Sequence, residues 1–425
     1  MISAWVSARL AARGIHYGWV MVAVTFFTAL VSSASVGAPG VFILPLEKEF
    51  GWSTTQISSA LSIRLLLFGL MAPFAAALMV RFGLRNVVMS ALTIITIGLL
   101  ASLAMTQAWH LIALWGFVVG FGTGMTAMVL GATVATRWFI AHRGLVVGIL
   151  AASVATGQLI FLPVMAYLTE AFGWRIALGT MCVMLAVAAA MVLLFLSDRP
   201  SDLGLRPVGD DGTAPVPVTP PATSIISAAF TALRDASKTR VFWILFGTFF
   251  VCGASTNGLV QTHLIPMCAD FGIPATTSAS LLAAMGIFDF VGTIASGWLS
   301  DRYSNRWLLF WYYVLRGLSL VFLPFTDFSF YGLSLFAVFY GLDWIATVPP
   351  TVKLTAKHFG PERAAMVFGW VFVGHQLGSA TAAFGAGLTR TLYESYLPAF
   401  FAAGILCLIA AAVMMLRSEP KAATA

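Results

Sequence analysis

Apolar stretches of about twenty residues recur along the whole chain, and this recurrence limits the possible folds more than any other feature. A helix of that length spans a hydrocarbon layer of about 30 Å, and a lipid-facing segment is stable there only if its backbone hydrogen bonds are satisfied internally. The alternative, a water-soluble globule, needs a polar coat. Only 9% of the 425 residues are charged and 60% are hydrophobic. Soluble domains carry roughly 25% charged residues, so such a coat cannot be assembled from this chain.

Hydropathy windows of about 19 residues predict six helices at 17–44, 55–81, 86–106, 109–137, 144–170 and 175–197. Six more are predicted at 240–267, 276–301, 306–325, 329–357, 364–390 and 396–416. The expectation is an all-α membrane protein with twelve transmembrane helices, in one bundle over 1–197 and a second over 240–425. Residues 198–239 hold Asp210, Asp211, Pro215, Pro217, Pro220 and Pro221, too little apolar surface to order alone, and are expected to form a linker. Arg9 and Arg13 precede the first apolar run, which lacks a small-residue cleavage site and is expected to stay as an anchor.

The two bundles share one register. At an offset of 221, Pro45 meets Pro266, Phe50 meets Phe271, Gly51 meets Gly272, Arg81 meets Arg302 and Arg85 meets Arg306, with Gly148 and Gly157 matching Gly369 and Gly378. One offset holding across several loops points to duplication. Parallel repeats of six helices form transporters whose site lies near the midplane. Of the 23 lysines and arginines, eighteen fall in loops on the side of the N-terminus. Three, Lys48, Arg175 and Arg390, fall on the other side, and Arg64 and Arg316 lie within helices. Basic loops stay in the cytoplasm, so both termini and the linker are expected there, with the chain in the cytoplasmic (inner) membrane.

The net charge of +7 does not gather on a stripe with interleaved aromatics, so no nucleic-acid partner is expected. Cys182, Cys252, Cys268 and Cys407 have no metal-ligand spacing and read as small core residues. The glycines at 116, 120, 122 and 124 lie in an apolar run with no following Lys-Ser or Lys-Thr, so close helix packing explains them better than a nucleotide loop. No paired catalytic carboxylates or nucleophile elbow appears, and neither an enzyme nor a cofactor nor a metal site is expected.

Two segments resemble a known group. Gly297-Trp298-Leu299-Ser300-Asp301-Arg302, followed by Arg306, resembles the signature loop of the major facilitator superfamily. The repeat-related loop keeps Arg81, Gly83 and Arg85 but has Val80 where the acid is expected. Trp138-Phe139, Arg143, Gly148 and Gly157 are similar to the helix 5 pattern of monocarboxylate porters, and Tyr17-Gly18-Trp19 is similar to their helix 1 entry. Related oxalate-formate carriers share part of this pattern. The resemblance implies a secondary transporter working by alternating access, with Asp301, Arg302, Arg306, Arg81, Arg85 and Arg143 as gating or structural residues. It also implies an acid in helix 8, present as Asp289, and a cation four residues later, where Thr293 stands. The family's helix 1 lysine is missing, and His375 holds a place comparable to the helix 11 lysine of oxalate carriers.

Ionisable groups inside a membrane helix are costly enough to require a reason. Arg64 lies one helical turn before position 68, the repeat equivalent of Asp289, so the two address the same face of their helices. Arg64 either binds a substrate carboxylate with its planar fork or caps carbonyls within its bundle. Asp289 is the expected proton acceptor, with a structural role as the alternative. Arg316 and Asp343 stand on consecutive helices and read as a fixed pair, with Asp343 as a second coupling candidate. His375 could relay a proton or donate to an anion, or be a satisfied core histidine, as could His263. Asn257 and Gln261 could bind a hydroxyl or carboxylate, and Gln158 and Gln376 could do so or hold helices together. The function expected is transport of a small organic anion, a monocarboxylate or hydroxy-acid, coupled to protons, by a monomer in the bilayer. Proton-coupled efflux of a drug or cation is the alternative, and a membrane sensor without transport is a third reading.

Overall fold

A computed structural model describes residues 2–126, 128–142, 146–147, 149–150, 153, 157, 160–210 and 222–415. Among these residues the chain is almost wholly helical. Ten stretches are long and apolar enough to cross a membrane, from Gly18–Gly37 to Leu397–Met415. Two further predicted spans are also seen as helix: Leu162–Phe172 is the described end of the fifth, and Pro361–Tyr393, with 33 residues, is the eleventh. The eleventh is rich in polar and small residues, including His375, Gln376 and Ser379.

The chain divides into two compact units, one comprising Met1–Trp52 and Ile63–Ser227, the other Ser53–Ser62 and Ala228–Ala425. In the first unit, α1 (Ile2–Ala11) precedes a span built from α2 (Gly18–Gly37) and α3 (Pro39–Phe50). The span is divided at Ala38 because Pro39 cannot donate a backbone hydrogen bond and therefore opens a new helix. Helix α4 (Thr54–Phe82), which belongs to this unit from Ile63 on, and α5 (Leu84–Ser102) follow. The fourth span runs through α6 (Ala108–Leu111), a π-helical stretch Ile112–Val119, α7 (Gly120–Met125) and α8 (Met128–Trp138). Its glycines allow close approach: a Cβ on Gly120 would come within 3.0 Å of the Arg64 Cα. Helices α9 (Leu162–Phe172) and α10 (Trp174–Phe195) complete the unit.

The segment expected to be an unordered linker contains α11 (Ala222–Ala236). Ala232 and Ala236 are buried in a core shared with Phe242, Leu245 and Tyr313, so this helix acquires from the second unit the apolar contacts it could not supply itself. The next span joins α12 (Arg240–Gly253), a π-helical stretch Ala254–Gln261 and α13 (Thr262–Asp270). Then come α14 (Ala275–Arg302), α15 (Asn305–Phe322), α16 (Phe330–Asp343), α17 (Val348–Phe359), α18 (Pro361–Tyr393) and α19 (Leu397–Met415).

The repeat is visible in the backbone. Gly51 and Gly272, 221 residues apart, both adopt positive φ (67° and 75°) where a span ends, as do Gly173 (90°) and Glu394 (54°). Glu49 and Asp270 are related by the same offset, and each forms an ion pair within its unit, with Arg175 at 2.6 Å and with Arg390 at 2.9 Å. Arg85 donates to the Leu193 carbonyl, and Arg306, its equivalent, donates to Met414 at 2.8 Å, again 221 residues on from Leu193. These arginines, expected to serve gating or structure, tie the start of one helix to the end of the last helix in their unit.

Lipid-facing and interior faces alternate as helical geometry requires. Along α14, Ile287, Phe290, Val291, Ile294 and Trp298 are exposed, each more than half, while Met285, Asp289 and Ser296 are buried. Residues three or four apart share a face, so one stripe meets hydrocarbon and the other the bundle interior.

Candidate functional site

Arg64 is buried in α4 of the first unit. Its Nη1 donates to the Ser35 carbonyl at 2.8 Å and its Nη2 to the Val36 carbonyl at 2.9 Å. These carbonyls belong to the last turn of α2, which ends at Gly37 because of the break before Pro39. The guanidinium thus supplies donors that the interrupted helix lacks. Its Nε has no partner in the protein, and no carboxylate pairs with Arg64 among the described residues. On α2, the hydroxyls of Thr25, Thr28 and Ser35 are also buried without a partner in the protein. Buried polar atoms usually have a partner, so this strip, with one cation and several hydroxyls, is chemically unsatisfied by the chain alone.

The second unit uses its charges differently. Its tenth predicted span is broken between Asp343 and Val348, with Pro349 and Pro350 in the first turn of α17. The helical bonding pattern lapses at the break, and Pro349 and Pro350 have no N–H to offer the carbonyls of Ile345 and Ala346, so backbone groups of residues 343–346 need partners inside an apolar bundle. Side chains provide them. Arg316 donates through Nη2 to the carbonyls of Asp343 (2.5 Å) and Trp344 (3.0 Å). Asp289 Oδ1 accepts the Ile345 N–H at 2.8 Å, and the Ser296 hydroxyl donates to the Ala346 carbonyl at 2.5 Å. The Thr293 hydroxyl donates to the same Asp289 oxygen at 3.0 Å, so the residue standing in the family's cation position hydrogen-bonds the acid.

Arg316 and Asp343 are joined at 2.6 Å, both buried, as a pair internal to this unit. Arg316 Nη1 also reaches Cys252 Sγ at 3.0 Å, so Cys252 is a polar partner and not simply a core filler. Asp343, considered for proton coupling, is held by this pair on the Oδ2 side, while its Oδ1 has no partner in the protein.

Asn257, Gln261, His375 and His263 belong to the same unit. Asn257 and Gln261 lie on the π-helical stretch, a geometry found often at functional positions, with Gln261 buried and Asn257 half-buried. His375 packs against Phe249 and Phe372, with ring centroids 5.0 and 5.6 Å away, and its Nδ1 lies 3.4 Å from Gln376 Nε2. Gln376 Oε1 has no partner in the protein. His263 Nε2 is 2.9 Å from the Ala383 carbonyl, while its Nδ1 has no partner in the protein. Arg302 stacks over Trp298 at 4.0 Å and Arg81 over Phe82 at 5.3 Å. Arg143, Gln158, Gly148 and the side chain of Asp301 lie outside the described residues.

One residue that the sequence did not single out organises the first unit's signature loop. Asp198 Oδ1 accepts the Arg85 N–H at 2.8 Å, and Arg137 donates to the Asp198 carbonyl at 3.3 Å. An acid near the end of α10 therefore sits on the start of α5, although Val80 replaces the loop's own acid. Its only signal in the sequence was its place next to Arg199 at the end of the sixth apolar run.

Comparison with known proteins bears directly on this arrangement. The family model described as Major Facilitator Superfamily matches residues 25–383 and 263–425. The chain belongs to the major facilitator superfamily. It is 23% identical over 387 residues to an uncharacterised major facilitator transporter of Bacillus subtilis (strain 168), covering 89% of this chain and 90% of the relative. It is 25% identical over 404 residues to monocarboxylate transporter 13 of Bos taurus, covering 94% and 89% of the two chains. Among solved structures, a nucleoside transporter aligns with a TM-score of 0.72 at 13% identity, covering 94% of this chain and 99% of that one. The xylose transporter from E. coli aligns with a TM-score of 0.69 at 13% identity, covering 94% and 100%. At such identities the solved structures speak for the fold alone. This superfamily member is a multi-pass membrane transporter and not an enzyme.

Proposed function

We propose that the protein carries a small organic anion, a monocarboxylate or hydroxy-acid, across the cytoplasmic membrane together with a proton by alternating access. The observation that supports this most directly is Arg64, a buried guanidinium with a partnerless Nε and no carboxylate beside it among the described residues. A substrate carboxylate supplies the missing counter-charge, and the buried hydroxyls of α2 suit a hydroxyl or carboxylate oxygen. The similarity to proteins named monocarboxylate transporters agrees with an anionic substrate.

Asp289 is the proposed proton acceptor. Its hydrogen bonds from Ile345 and Thr293 both end on Oδ1, which leaves Oδ2 for a proton. A neutral carboxyl holds a backbone N–H less strongly than a carboxylate does, so protonation would loosen the broken tenth span at Ile345 and link the proton to a change of shape. His375, Asn257 and Gln261 are proposed as further substrate contacts. The eighteen-to-three distribution of basic residues supports cytoplasmic termini. The protein is proposed to act as a monomer.

The deciding assay is uptake of labelled monocarboxylates into proteoliposomes under an imposed pH gradient. Accumulation that collapses with the gradient, and is lost in Arg64→Ala, is the expected result. If no acid accumulates while an amphipathic cation is expelled from Arg64→Ala and wild type alike, the efflux reading replaces this one. Arg64 speaks against efflux because a desolvated cation repels another, and Arg316 already neutralises Asp343.

A further inference from the structure

The first unit buries a second hydrogen-bond donor that the chain does not satisfy. Trp115 is 2% exposed, and its indole Nε1 has no partner among the described residues. An indole N–H only donates, and a buried one usually finds an acceptor. The partner it lacks is an acceptor atom.

Backbone geometry sets Trp115 beside the break that Arg64 caps. It stands in the π-helical stretch Ile112–Val119, whose backbone hydrogen bonds close over five residues. Residues five apart then lie nearly one above the other, which puts Trp115 on the flank of the fourth span that carries Gly120. That flank packs on α4 at Arg64, where a Cβ on Gly120 would come within 3.0 Å of the Arg64 Cα. A regular α-helix would rotate Trp115 about 140° away from Gly120. On its other side the Trp115 ring meets Phe42 of α3 edge-on, with centroids 5.7 Å apart. Phe42 lies about one turn beyond the break at Pro39, and the carbonyls of Ser35 and Val36 that Arg64 caps lie just before it. Arg64 and Trp115 close on the same break from neighbouring helices.

The hydrogen bonds of the guanidinium define what is missing. Nη1 and Nη2 each donate to a carbonyl, so Nε is the nitrogen without a partner. A carboxylate held at Nε presents a second oxygen, and burial makes an unpaired oxygen costly. Trp115 supplies a neutral donor for it. Unlike the unpartnered Ser35 hydroxyl, which both donates and accepts, an indole N–H cannot accept a hydrogen bond from a cation.

We propose that Trp115 is a substrate contact, its Nε1–H donating to the second oxygen of the carboxylate that Arg64 holds. The inference rests on the reading of Arg64 as the anion site and adds the residue that fixes the anion's orientation there.

The test measures uptake of labelled lactate, pyruvate and acetate into proteoliposomes of the full-length protein under an imposed pH gradient. Trp115→Phe removes the donor and keeps an aromatic ring. Its KM for the acids carried should rise about tenfold, the effect of one hydrogen bond to a charged group, with kcat within about twofold of wild type. Benzothienylalanine at position 115 keeps the shape of the indole without the N–H. It should reproduce that rise, and it decides the matter if Trp115→Phe melts below wild type. Trp138 has an equally buried indole nitrogen without a partner at the other end of the same span, so Trp138→Phe should leave KM unchanged. A KM unaltered by both changes at position 115, a fall in kcat alone, or an equal rise in Trp138→Phe overturns the inference while Arg64→Ala still abolishes uptake. No carboxylate carried, or uptake intact in Arg64→Ala, overturns the proposed function and this inference with it.

Discussion

Among the described residues each unit buries one arginine in a membrane helix, and the two arginines meet opposite conditions. Arg316 in the second unit is joined to Asp343 at 2.6 Å, donates to two carbonyls of the broken span and touches Cys252. Arg64 in the first unit also caps two carbonyls, but no carboxylate accompanies it among the described residues. A buried charge is tolerated when paired and hydrogen-bonded, and otherwise waits for a partner. On the proposed function the first arginine acts on an anion, whereas the second pairs within its own unit.

The sharpest way to break this comparison is to remove Arg316. Arg316→Ala leaves Asp343 buried without its cation and two carbonyls without donors. A loss of about 3–5 kcal/mol is expected, and thermal melting in detergent should register it. Wild-type melting in that variant would mean the pair carries no structural load. The matching change, Arg64→Lys, keeps the charge but loses the planar fork. Uptake of anion should fall about 30-fold, equivalent to about 2 kcal/mol, with a smaller loss of melting temperature than in Arg316→Ala. If uptake survives and stability collapses, Arg64 is the structural arginine and the contrast is reversed.

A smaller effect tests the frame around Arg316. A Cβ on Gly292 would collide with the Leu342 carbonyl, one residue before Asp343. Gly292→Ala should therefore cost about 1–3 kcal/mol, read as a lower melting temperature. The least effect is expected outside the membrane. The Arg175 guanidinium and then the Trp174 indole hydrogen-bond Glu49 and hold its carboxyl below the ordinary value of 4.5. A carboxyl with a lowered folded value contributes stability above its unfolded value and loses it as pH falls through the folded one. Melting of wild type should thus drop relative to Glu49→Gln on acidification below about pH 4.5, by at most about 1 kcal/mol because the pair is solvent-exposed. A difference that persists at low pH would assign the effect to packing.

Much of this was legible in the sequence because the bilayer imposes one rule on every span. The ends of the described spans fall within a few residues of those predicted by hydropathy, as at Trp174–Phe195 for 175–197 and Ala275–Arg302 for 276–301. The pairing of Arg316 with Asp343 was legible too, since two opposite charges on consecutive helices have few other solutions. What hydropathy could not convey was the fate of backbone groups at breaks. Pro349 and Pro350 announced a kink, but not that Asp289, Ser296 and Arg316 would each satisfy a different exposed group around Ile345. Carbonyl capping by Arg64 was one of its two readings in the sequence, whereas the carbonyls it caps, at the end of α2, were not. Composition also misled at 222–236, because a segment unable to order alone can fold against a neighbour that has apolar surface to offer. Glu49 and Asp270 could have been found, since they sit in the same register as Pro45 with Pro266 and Gly51 with Gly272.

The glycines of the second unit have a mechanical consequence. Gly292 lies directly against the Leu342 carbonyl, Gly253 against that of His375, and Gly378 against that of Phe250. With no side chain between the backbones at these points, there is no compressible layer to absorb a displacement. A shove on one helix of such a couple is delivered to the other without slack. The eighth and tenth spans are therefore coupled as a single lever, and on the proposed function a proton at Asp289 would press on the same lever that Ile345 anchors.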